Sequence, residues 1–253
     1  MTPRSSSQGR RPGGECLRAV EVSRSFEGVQ ALEGVSLRVD RSEVVGLIGP
    51  NGAGKTTLVN LITGFDVPDS GRIELDGREI TAWSAVRRAS SGLARTFQHG
   101  HLFAGLSAIE NVEVAALGVG ARSSHAHMRA RELLEMLGLG DRADHDASML
   151  PHGDESKLGV ARALATDPRY LLMDEPAAGL SEPELPALVN VIRSVRDQHR
   201  AGVLLIDHNV TVIMEACDRV VVLDGGRVLS EGTPEEIRAN PRVAAAYLGT
   251  VRA

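Results

Sequence analysis

The sequence predicts an α/β fold: a mostly parallel sheet, a small antiparallel β layer beside it, and an inserted, mostly helical region. Three observations carry this expectation. Short apolar runs at 44–48, 170–173 and 203–206 are continuous and bounded by turn residues, as in strands buried on both faces. The stretches 17–22 and 35–39 instead alternate apolar and polar residues, as half-buried strands do. The stretch from about 99 to 166 carries helix start and stop signals instead.

Taken in order, residues 1–15 are rich in Ser, Arg, Gly and Pro and predict a disordered tail. No apolar core follows their arginines, so a secretory signal is not expected. Phe26 falls in the loop expected between the two alternating strands. An aromatic there either anchors the loop or offers a platform for a purine ring. The run 44–48 leads into Gly49-Pro50-Asn51-Gly52-Ala53-Gly54-Lys55-Thr56-Thr57, after which 58–62 reads as helix with Gly64 as its cap. Ile73 and Leu75 lead into Asp76-Gly77, a hairpin signal, and 93–98 reads as a strand ending at the polar Gln98. Ser107 and Glu110 have capping-box spacing and open a helix to about Leu117. A second helix is expected to present Met128, Leu133, Leu134 and Leu137 to the core, stopping at Gly138. Residues 150–154 read as a turn before a helix from about Glu155 to Ala165, which Asp167-Pro168 ends. Leu185, Leu188, Ile192 and Val195 make a helical stripe, and Asp224-Gly225-Gly226 is flanked as a hairpin. Thr233 and Glu236 then open a terminal helix over about 234–249, with Pro234 at its first position.

The chemistry concentrates at 49–57. Glycines let successive backbone N–H groups curl around phosphate oxygens, and the following helix adds the positive end of its dipole. Lys55 can reach the outer phosphates of a bound nucleoside triphosphate, and the Thr56 hydroxyl is placed for Mg²⁺. Asp174-Glu175 follows the buried run 170–173. One carboxylate there can orient Mg²⁺ or its water, and a second can polarise an attacking water. Asp207-His208 follows the run 203–206, so His208 stands at the same sheet edge and can hydrogen-bond a terminal phosphate.

Composition narrows the classes. With 253 residues, 42% of them hydrophobic, and a net charge of −5, the chain can bury a substantial core and has no overall attraction to nucleic acid. No apolar run approaches the roughly 18 residues of a membrane span. Cys16 and Cys217 lack metal-ligand spacing and read as buried thiols of a reducing compartment. Only two lysines occur, and one of them is Lys55.

With these motifs in order, residues 16–249 resemble an ABC-transporter ATPase subunit. Gly49 to Thr57 looks like the family's Walker A loop, Gln98 its Q-loop glutamine, and 171–174 its Walker B strand. Glu175 matches the general-base position, His208 the switch histidine, and Phe26 the aromatic that stacks on adenine. Residues 150–154, with Gly153, match the signature segment that completes the ATP site of a second subunit. The resemblance implies a P-loop NTPase core with an antiparallel β-subdomain and an inserted helical subdomain. It also implies ATP and Mg²⁺ as ligands, with Thr56, Gln98 and Asp174 serving the metal. The expected partners are permease subunits and a second ABC ATPase, with the chain in the cytoplasm on the inner face of the cell membrane. Residues 93–98, 174–180 and the ending Asn240-Pro241 to Ala246-Tyr247-Leu248-Gly249 are similar to the LivG type of branched-chain amino acid importers. Lipopolysaccharide exporters and urea or amide importers use similar subunits. A soluble ABC protein acting on nucleic acid would carry a second cassette or a long insertion, and a P-loop kinase would lack the signature and the histidine.

Three features depart from the family pattern. Pro151 and His152 replace serine and glycine in the signature, Asp154-Glu155-Ser156 replaces its glutamine-rich continuation, and Ser181 stands where the D-loop carries Asp or Asn. Proline has neither a hydroxyl nor an N–H for a phosphate. The expectation is that the Gly153 amide and the helix start behind it compensate.

Overall fold

A computed structural model describes residues 14–96 and 102–249. It begins with two long antiparallel strands, β1 (Cys16–Phe26) and β2 (Val29–Asp40), joined by Glu27-Gly28. Both turn residues have left-handed φ, as a tight hairpin requires. Next come β3 (Val44–Ile48), helix α1 (Lys55–Thr63), β4 (Ser70–Leu75), β5 (Arg78–Glu79), α2 (Ala85–Ala89) and β6 (Leu93–Arg95). The antiparallel sheet has the order β2-β1-β4-β5, with the Asp76-Gly77 turn between its last two strands.

Helices α3 (Ala108–Gly118), α4 (Ser123–Met136) and α5 (His152–Ala165) follow. The chain then re-enters the main sheet through β7 (Tyr170–Asp174), α6 (Leu185–Gln198), β8 (Gly202–Ile206), α7 (Val210–Ala216), β9 (Arg219–Asp224) and β10 (Arg227–Gly232). The described chain finishes with α8 (Pro234–Ala239) and α9 (Pro241–Gly249). The main sheet has the order β10-β9-β3-β8-β7-β6 and is parallel except for β10.

The period of two along each strand splits the interior into two cores. Val45, Leu47, Leu172, Leu204, Ile206, Val221 and Leu223 meet the antiparallel sheet and the inner side of α1. Val44, Leu171, Met173, Val203, Leu205, Val220 and Val222 meet the helices on the other side. Burial on both faces explains why these strands are continuously apolar in sequence. The position of α1, which carries the phosphate loop at its start, is fixed at its far end by Arg88. That side chain is 1% exposed. It donates to Leu61 and Ile62 carbonyls in the last turn of α1 and to Thr81 and Trp83 carbonyls.

The structure corrects four sequence expectations. Phe26 is the last residue of β1 rather than a loop residue, because the hairpin turn needs only Glu27 and Gly28. Met128 is 55% exposed. The buried stripe of α4 is Ala126, Ala130, Leu133 and Leu134, and Met128 lies off that helical period. Helix α5 starts at His152, three residues before the expected Glu155, with Pro151 at the cap position. The Pro151 carbonyl accepts from the Asp154 and Glu155 amides. Finally, 234–249 is two helices. Pro241 cannot donate to a preceding turn and keeps Asn240 extended at ψ 114°, so the chain breaks there and restarts. The tail expected at 1–15 falls mainly on residues outside the described ones.

Candidate functional site

The loop from β3 to α1 needs glycine at two places. A Cβ on Gly49 would come 2.2 Å from the Leu223 carbonyl oxygen, and one on Gly54 would come 2.6 Å from that of Ala31. Gly54 also has φ 101°, which disfavours any residue with a side chain. Between them, Asn51 and Gly52 are exposed at the apex, while Gly49, Pro50 and Ala53 are buried. The first turn of α1 contains no acidic residue, so the positive end of its dipole is uncompensated by side chains of that turn. Thr56 is exposed and Thr57 half-buried in that turn. Lys55 is 8% exposed. Its Nζ donates to the Gly49 and Pro50 carbonyl oxygens at 2.7 and 3.0 Å, within the loop that would surround a phosphate. Burial lowers the Lys55 pKa, and the charges of Glu175 and Asp174 oppose that shift.

Both acidic candidates sit where β7 ends. Asp174 pairs through Oδ2 with Arg95 Nη2 at 2.7 Å, and the Asp174 amide donates to Thr96 Oγ1 at 3.1 Å. Arg95 Nη1 reaches Asn60 Oδ1 on α1 at 2.7 Å, so one guanidinium joins the phosphate-loop helix to β7. Asp174 is in register with Ile206 on β8. The next residues of both strands therefore emerge together. Glu175 turns out with φ 50°, an unfavourable conformation for a side-chain residue. Its amide donates to the Ile206 carbonyl at 2.7 Å. Its Oε1 lies 2.9 Å from His208 Nε2.

Beneath this pair, Asp207 is buried and holds two loops. Its oxygens accept the amides of Ala177 and Asn209 at 2.9 and 2.8 Å. Burial raises its pKa, and these two amides oppose the rise. The α9 helix reaches the same region, where the Gly49 backbone is hydrogen-bonded to the Tyr247 phenol.

Two further candidates, Phe26 and Gly153, make none of these contacts. Phe26 is 45% exposed, and the Arg24 guanidinium sits 4.8 Å from its ring centre, held by Asp66 and Asp69. Gly153 is in the first turn of α5, where a Cβ would approach Leu180 Cδ2 to 2.9 Å. Asp154 beside it is ion-paired with Arg142 and Lys157. Gln98 lies outside the described residues.

Loop, lysine, carboxylates and imidazole thus converge on one edge of the parallel sheet, where a triphosphate could meet a base and a charge clamp. Sequence reading assigned no role to Arg95, Asn60, Asp207 or Tyr247. Arg95 did leave a signal, as a charge directly following the apolar pair Leu93-Ala94.

The whole chain also resembles known proteins. Residues 32–178 match the ABC transporter family, and residues 227–253 match the branched-chain amino acid ATP-binding cassette transporter family. The chain is 42% identical to the high-affinity branched-chain amino acid transport ATP-binding protein LivG of Salmonella typhimurium, with 88% of this chain and 94% of that one covered. It is 41% identical to BraF of Pseudomonas aeruginosa, which carries the same description, over the same shares. A solved ATP-binding cassette of an ABC transporter in its ADP conformation superposes with TM-score 0.82 at 28% identity, covering 93% of this chain and 99% of that one. A dimeric bacterial ABC transporter cassette gives 0.79 at 26% identity, over 86% and 98%.

Proposed function

Since the chain belongs to the ABC transporter family, as an ATP-binding subunit with ATPase activity, we propose that it powers the import of branched-chain amino acids. The observation that carries the site is the convergence of Lys55, Asp174, Glu175 and His208 on one sheet edge. Glycines 49, 52 and 54 leave room for phosphate against the backbone, and Lys55 turns from the loop carbonyls to the outer phosphates. Glu175 accepts a proton from the attacking water. His208 holds that carboxylate before nucleotide arrives and contacts the terminal phosphate afterwards. Phe26 takes the adenine on the ring face opposite Arg24.

The donor set suits a hard cation: the Thr56 hydroxyl and the Asp174 carboxylate are oxygen ligands, with Gln98 completing the set. Mg²⁺ held there would neutralise phosphate charge during transfer. The signature segment at Gly153 serves the ATP of a second ABC ATPase, supported by the dimeric cassette similar to this chain. A cleft of about 320 Å³ where α2, β6, α3 and α5 meet, with Phe65, Val86, Ala115 and Arg162 on its walls, suits a permease segment. The permease would hold the chain at the inner face of the cell membrane. Among the described residues no helix is long and apolar enough to cross it.

The test is reconstitution with the permease that co-purifies, followed by ATP-driven uptake into vesicles. Labelled leucine should accumulate and labelled urea should not. Uptake of urea alone would replace the substrate assignment while leaving the ATPase intact.

A further inference from the structure

We propose that Arg95 is a positioning residue that keeps a free divalent cation off Asp174 until nucleotide is present. This rests on the reading of Asp174 as the carboxylate that serves the metal. Arg95 and Asp174 side chains are 10% and 13% exposed, so their ion pair at 2.7 Å is largely shielded from solvent. The second Arg95 bond, 2.7 Å to Asn60 Oδ1, fixes the guanidinium from the other side. Its carbon also lies 5.8 Å from the Phe65 ring centre. A planar fork held at two places cannot drift away from the carboxylate as a lysine could.

Two consequences follow from charge and geometry. First, Asp174 Oδ2 already has a cationic partner, so the local field available to a lone metal ion is weakened by a full unit charge. A nucleotide brings several negative charges of its own, which restores the attraction only when phosphate is in the loop. Second, the Arg95 bond at Oδ2 fixes the carboxylate's orientation, while the Asp174 amide, donating to Thr96 Oγ1, fixes the backbone that carries it. Among the described residues nothing else bonds the carboxylate, so its other oxygen, Oδ1, remains to serve the site. Because Asn60 belongs to α1, the same guanidinium also ties that orientation to the helix carrying the phosphate loop.

The experiment measures Mn²⁺ binding to the whole chain by electron paramagnetic resonance, without nucleotide and then with ATP, after thermal melts show folded variants. Without nucleotide, Arg95→Gln should bind Mn²⁺ about tenfold more tightly than the parent, since a unit charge is gone. Arg95→Lys keeps the charge but reaches one partner at a time, so it should fall between them, about threefold tighter than the parent. If Arg95→Gln does not fold, Arg95→Lys carries the test alone. Equal affinity of the parent and every folded variant overturns the proposal. Asp174→Asn separates the two readings. It should abolish the gain in the double variant with Arg95→Gln and weaken Mn²⁺ binding in the presence of ATP. If Asp174→Asn instead matches the parent with ATP, the metal reading of Asp174 falls, and the proposal with it.

Discussion

Lys55 and Glu175 are the residues on which the site's chemistry turns, and each supports a distinct test. Lys55→Ala removes the cation that faces the loop while leaving the glycines that shape it. A hydrogen bond to a charged group is worth about 1.5–3 kcal/mol, so nucleotide affinity should fall about ten- to a hundredfold, read by fluorescent-nucleotide titration. Glu175→Gln keeps the shape but cannot take a proton, so hydrolysis should slow about 10²–10⁴-fold with binding intact. Parent-rate hydrolysis by this variant would remove Glu175 from the role. Cys217 is buried and its thiol pKa is raised by that burial, as is that of Cys16. Both should react with a disulfide reagent only as fast as the protein opens, and rapid native-state labelling would contradict their burial. At this scale the sequence disclosed what local spacing encodes, namely loop, carboxylate pair and histidine. It did not disclose Asp207 as the tie between Ala177 and Asn209, nor Arg95 between Asn60 and Asp174. Asp207 and Ala177 follow the paired strands β8 and β7, and Arg95 and Asp174 lie on the paired strands β6 and β7, so these ties come from strand pairing that no short motif records.

Elements were legible where a cap or period marked them. The Ser107 and Thr233 capping boxes form, and the α6 stripe is buried. Boundaries beside proline were less legible, because Pro151 admits a helix immediately after it and Pro241 starts a new one. The early start of α5 bears on the altered signature. Gly153 lies inside the helix's first turn, and its neighbours Asp154 and Glu155 direct their amides to the Pro151 carbonyl. Pro151→Ser should therefore alter steady-state ATPase activity by less than about tenfold, the lower end of what a charged hydrogen bond contributes. A hundredfold gain would mean that the composite site is impaired as it stands. Helix α1 supplies a stability test. Arg88→Met removes four donors from carbonyls that have no access to water through that buried side chain. The loss should be about 3 kcal/mol, seen as a lower denaturation midpoint with unchanged m.

Across the whole molecule, the two cores back to back explain how the fold class could be read early. Apolar runs of four or five residues bounded by turns read as strands covered on both sides, and the alternating strands supply one of the covers. The α9 helix was the least legible part, since its register on the phosphate loop depends on the break at Asn240. Val243 is buried there and Tyr247 meets the Gly49 backbone. Truncation after Asn240 should lower the melting temperature by about 2–4 °C for each kcal/mol of lost packing. In the presence of Mg-ATP and the partner ATPase, Glu175→Gln should accumulate as a dimer on size exclusion. The pair of lysines has a practical consequence for such work. Lys55 is buried with its amine turned onto two carbonyls, whereas Lys157 is partly exposed and ion-paired with Asp154 in the first turn of α5. Amine-reactive dyes should therefore conjugate at one side-chain position, beside the signature segment. A fluorophore attached there would sit at the proposed seam between subunits and report its closing without any engineered cysteine.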